Sequence, residues 1–140
     1  FIIINYYYNK MAQAKVFKVA LIGHSKTKKT TFVKNLLYSS NVNHPLPCTL
    51  GVNVTPFDFR TIDGGRYRLN IWDCAGNTNY MGLGDKYLKN SDLVIIFKHP
   101  DKNNNVFKKW VPKNTPYIWA DMTPNNALST ILYNIKSALL

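Results

Sequence analysis

Apolar and polar positions divide this chain into short alternating elements. From Lys15, the stretch KVFKVALIG is β-branched, apolar and closed by glycine, which predicts a buried strand. Phe32, Val33, Leu36 and Leu37 then recur at helical spacing, so a helix is predicted over Thr30 to Tyr38, ended by the polar, proline-bearing SSNVNHPLP. In GVNVTPFDFRT, Val52, Val54 and Phe57 stand among polar neighbours, and in RYRLNIWD, Tyr67, Leu69 and Ile71 alternate with period two. Asp63-Gly64-Gly65 lies between these runs, so they read as an antiparallel hairpin. Pro56 confines its strand to an edge or a bulge.

The run DLVIIF, Asp92 to Phe97, is continuously apolar, as expected of a central strand covered on both faces. After the Asn-rich loop KHPDKNNN come a short helix around Val106 to Val111 and a strand at TPYIW. Leu128, Ile131, Leu132, Ile135 and Leu139 form one apolar face of a closing helix. Strands alternating with helices predict an α/β fold: a mainly parallel sheet, one antiparallel hairpin strand, and helices on both faces.

The chain has 140 residues, enough for one compact domain. No apolar run approaches the roughly 18 residues a transmembrane helix needs, so a soluble protein with no membrane partner is expected. Residues 1–14 read as a disordered N-terminal extension and 15–140 as the domain. FIIINYYYNK precedes Met11, which is taken as the true start; FIII is too short for the apolar core of a signal peptide, although AQA resembles a cleavage site.

Charge narrows the partners. Eighteen Lys and Arg stand against seven Asp, with no Glu, giving a formal net charge of +11. Such a surface favours nucleotides, nucleic acid or acidic proteins, or is simply solvated. The lysines are scattered and form no arginine-rich stripe, which points away from nucleic acid. Cys48 and Cys74 lack C-x-x-C or histidine partners at zinc spacing and read as reduced packing residues of an intracellular protein.

Candidate chemistry begins at GHSKTKKTT, residues Gly23, His24, Ser25, Lys26, Thr27, Lys28, Lys29, Thr30 and Thr31. A strand, a loop opening on glycine and a following helix are the context of the phosphate-binding G-x-x-x-x-G-K-S/T loop. In it, backbone amides and the positive helix end cradle phosphates, Lys29 reaches the outer phosphates and the Thr30 hydroxyl meets magnesium. Lys28 occupies the second glycine position, adding charge and a potential clash. Taken alone, the loop admits a nucleotide site or a bare lysine-rich helix start. Asp73 and Gly76, in WDCAGN at the end of a strand, tip the balance. This D-x-x-G spacing lets the aspartate reach magnesium through water and the glycine amide meet the terminal phosphate.

KVALIGHSKTKKTTFVKN, CTLGVNVTPFDF, LNIWDCAGNTNYMGLGDKY and DLVIIF, in this order, resemble the Ran family of Ras-like small GTPases, which direct nucleocytoplasmic transport. The resemblance covers roughly residues 15 to 97 and implies a P-loop small-GTPase fold, guanine nucleotide (GTP or GDP) and magnesium as ligands, and a monomer resident in nucleus and cytoplasm. Transport receptors or GTPase regulators would be its partners. It further implies that Thr49 is the switch threonine that closes on magnesium, beside Thr30 and Asp73, and that Asn77 takes the place of the glutamine orienting the attacking water.

Departures from the family are specific. Three loop glycines are replaced, and a side chain at Ser25 or Lys26 would stand beside the third phosphate. Asn77 is one methylene shorter than glutamine, so slow hydrolysis is expected. The guanine-reading N-K-x-D motif is absent, and Asp121 is either a substitute for its carboxylate or a turn residue. The last strand and helix match the family's fifth strand or its sixth strand and terminal helix, leaving the fold about one strand-helix unit short. The competing function is a GTPase-like binding module that engages receptors or regulators without turnover.

Overall fold

The computed structural model describes residues 13–38, 52–76 and 84–140. Five strands form one sheet: β1 (Lys15–Gly23), β2 (Val52–Arg60), β3 (Arg66–Cys74), β4 (Leu93–Phe97) and β5 (Tyr117–Ala120), in the order β2-β3-β1-β4-β5. All neighbours are parallel except β2 and β3, which form the hairpin anticipated from Asp63-Gly64-Gly65. Pro56 lies on β2, the edge strand, where its missing N–H costs no ladder bond.

Strand β4 is buried along its whole length and so separates two cores. On one face Val19, Leu21, Ile95 and Phe97 pack with Phe32, Val33 and Leu36 of helix α1 (Lys29–Tyr38) and with Ile131 and Ile135 of the closing helix α3 (Ala127–Leu139). On the other, Ala20, Ile22, Cys74, Val94 and Ile96 meet Leu88 of helix α2 (Gly84–Leu88) and Phe107 of a 3₁₀ helix (Asn104–Trp110). Helices on both faces are what the continuous apolar strands require.

Several local expectations shift. Leu37, assigned to the buried face of α1, is 37% exposed, and Val54 is exposed on the edge strand. The helix expected over Val106 to Val111 is 3₁₀ and begins earlier, because Asn side chains compete for its first backbone groups: Asn103 accepts from Asn105 N, and Asn104 bonds both N and O of His99. Helix α2, with five residues, is too short to register as a periodic pattern. The closing strand takes the place beside β4, and its helix returns to the α1 face. Among the described residues no helix is long and apolar enough to cross a membrane.

Candidate functional site

Strands β1 and β3 run parallel with Leu21 beside Asp73, and β1 and β4 with Gly23 beside Phe97. The loop after β1 therefore emerges at the carboxyl end of the sheet, between two neighbours that lead elsewhere. In open α/β sheets this crevice is where ligands bind. Gly23 has φ +144, and a Cβ on it would fall 2.6 Å from Phe97 O, so the chain can turn out of the strand only without a side chain.

Within the loop, Lys29 is 6% exposed. Its ammonium donates to Gly23 O at 3.1 Å, to His24 O at 2.8 Å and to Thr27 Oγ1 at 3.1 Å. Thr27 in turn donates to His24 O at 2.8 Å. The loop is thus wound about the lysine head. Lys26 and Lys28 have φ +64 and +66, the left-handed conformation that glycine would supply without strain. Each lysine holds it at a cost of roughly 1–2 kcal/mol. Both side chains are exposed.

Helix α1 starts where Phe32 N donates to Lys28 O at 2.9 Å. No acidic residue lies in its first turn, and Lys28 and Lys29 stand at its positive end. Cations beside a helix N-terminus repel the dipole, and a bound anion reverses the sign of that interaction. Thr30 and Thr31, both half-buried, open the helix. Thr30 Oγ1 donates to Asp73 Oδ2 at 2.5 Å, and Asp73, at the end of β3, is 3% exposed. The hydroxyl and carboxylate assigned to one metal are thus brought together from positions forty-three apart. Three residues beyond Asp73, Gly76 lies against the loop: a Cβ there would be 2.5 Å from Ser25 N and 2.7 Å from His24 C.

Residues 18–122 match the family model described as Roc, the Ras of Complex, Roc, domain of DAPkinase. The chain belongs to this Ras-like GTPase family. Membership in the Roc family implies guanine-nucleotide binding, typically with magnesium.

The residues present fit those ligands. Gly23 and Gly76 leave no room for side chains against the loop, and the carbonyl-clasped Lys29 ammonium lies inside it. The amides of residues 24–30 and Lys29 would hold phosphates, while Thr30 and Asp73 offer the hard oxygen donors that suit magnesium. The bound ion would neutralise charge developing on the phosphates. The Roc-family chain adds its own support for the loop: His24, half-buried, packs edge-on against Phe107 with ring centroids 4.7 Å apart, and its Nε2 lies 2.9 Å from Asn103 O. Sequence reasoning missed this brace, since a backbone carbonyl carries no sequence signal.

Asp121 is a turn residue. Its Oδ1 accepts from Thr123 N at 2.9 Å and Thr123 Oγ1 at 2.8 Å, and these bonds hold the carboxyl below the usual range. Cys74 is a buried free thiol. Thr49, Asn77 and Cys48 lie outside the described residues.

Proposed function

We propose that the chain is a Ran-like member of this family that binds GTP and GDP with magnesium and hydrolyses GTP slowly. The observation that carries the reading is the Lys29 ammonium held inside the loop by Gly23 O and His24 O, beside a Thr30–Asp73 pair. A positive helix end, a buried ammonium and a carboxylate at the carboxyl end of the sheet would together serve as a triphosphate–magnesium receptor. Poor base selectivity follows from the committed Asp121 carboxylate, and slow turnover from the short amide of Asn77. The proposal extends to nucleocytoplasmic transport, with receptors or regulators as partners in nucleus and cytoplasm; its support is the resemblance of the segments around Thr49 and Asn77.

Titration with fluorescent GTP and ATP, with and without magnesium, tests it. Magnesium-dependent binding is expected, weakened by Lys29→Ala by at least about tenfold, or about 1.4 kcal/mol. Asn77→Gln is expected to raise single-turnover hydrolysis. A folded protein indifferent to millimolar GTP would leave the competing function, a binding module without nucleotide.

A further inference from the structure

The opposite end of the sheet carries a second concentration of charge. The sequence contains three arginines, Arg60, Arg66 and Arg68. All three line one groove of about 440 Å³, together with Ala14, Val16, Asp58, Phe59 and Tyr67. Hairpin register brings them there: Arg60 faces Arg66, Asp58 faces Arg68, and Val16 of β1 lies beside Arg68. Alternation along each strand puts these side chains on one face of the sheet. Helix α2 and the 3₁₀ helix pack on that face around Ala20, Ile22 and Cys74, toward its other end. Val16 is left 53% exposed.

The charges in this groove do not balance. Arg60 directly opposite Arg66 is a like-charge cross-strand pair, which destabilises a hairpin. Arg68 is held by Asp58 in a two-pronged pair, Nε to Oδ1 at 2.6 Å and Nη2 to Oδ2 at 2.9 Å. One carboxylate therefore serves three guanidiniums. Among the described residues no other is paired with them: the sequence has no Glu, Asp63 is taken by its own turn, Asp73 by Thr30, Asp92 by Lys18 N and Asp121 by Thr123. Asp85 belongs to α2, and Asp101 to the loop after β4. Residues 1–12 carry Lys10 and no acid.

We propose that this groove docks an acidic segment of a partner protein, its Asp or Glu carboxylates pairing with Arg60 and Arg66 and an apolar side chain covering Val16. The Arg68–Asp58 fork shows the geometry that each guanidinium presents to a carboxylate. An apolar floor rimmed by arginine is the composition of a protein interface. A second copy, itself at +11, would be repelled. Single-stranded nucleic acid would need open aromatic faces, but Phe59 and Tyr67, the aromatics of the groove lining, are half-buried, stack on each other with ring centroids 5.3 Å apart and pack against the core.

Fluorescence anisotropy of a labelled peptide alternating Asp and Leu tests the docking, with a Lys-for-Asp peptide and an oligouridine of equal length as comparators. The acidic peptide is expected to bind, more weakly as salt rises, and at least tenfold more weakly to the Arg60→Gln/Arg66→Gln double variant. Asp58→Asn, which releases Arg68, is expected to tighten it. Urea midpoints no lower than the parent's establish that the variants are folded; should the double variant unfold, Arg60→Gln alone is read. Equal binding to parent and variant, no binding of the acidic peptide, or tighter binding of oligouridine through the same arginines would overturn the proposal.

Discussion

Two glycines and one cysteine set the constraints at the scale of the residue. Gly76 has no space for a methyl group, since its Cβ would stand 2.5 Å from backbone at Ser25. Gly76→Ala is expected to push the loop off its seat, costing about 1–3 kcal/mol by overpacking. Urea unfolding measures that loss, and fluorescent GTP should bind more weakly in parallel. Gly23 is constrained twice, by φ and by Phe97, whereas the lysines at 26 and 28 show that left-handed backbone alone does not demand glycine. Cys74 illustrates a different constraint: burial first, and Asp73 beside it, push its thiol from 9.0 up to about 12. The folded form therefore keeps a proton that the unfolded chain releases. Its contribution to stability is complete below about pH 9 and is lost as pH rises toward about 12. Urea midpoints measured across that window should fall, and fall less in Cys74→Ala.

Elements differ in how firmly their sequence declares them. Helix α3 shows a clear apolar face, and Ile131 and Ile135 are buried as that face predicts. Ile135→Ala is expected to cost about 2–5 kcal/mol, the range for a buried aliphatic truncation. Leu37→Ala, one position round from the buried Leu36 of α1, should stay within about 0.5 kcal/mol, as exposed substitutions do. Urea denaturation of the two variants distinguishes them. Periodicity misplaced Leu37 because polar residues of this ten-residue helix do not mark its exposed face: Lys29 and Asn35 are themselves buried. The hairpin, by contrast, was legible down to its turn, because Asp-Gly-Gly between alternating runs has few other readings.

For the whole molecule, excess positive charge is the dominant long-range term. At a net charge of +11 the fold repels itself, and salt should relieve it. Raising sodium chloride from 0.01 M to about 0.15 M shortens the screening length from about 30 Å to about 8 Å, so the urea midpoint is expected to rise. A falling midpoint would mean that attractive pairs outweigh the repulsion. The chain's charges were readable as a total, but the absence of an arginine stripe in the linear order concealed a cluster: positions 60, 66 and 68 converge only when the hairpin closes. What the sequence settled alone was local, namely strand and helix periods, the turn, and a loop whose Gly23, Lys29 and Thr30 follow a phosphate-binding spacing. Tertiary structure decided what depends on juxtaposition: the contact of Thr30 with Asp73, the seat of Gly76 on the loop, and the placing of Val16 beside the arginine-bearing hairpin. The physical reason is that backbone preferences act over a few residues, whereas pairing register and burial join positions forty or more apart, and no local pattern encodes which of them meet.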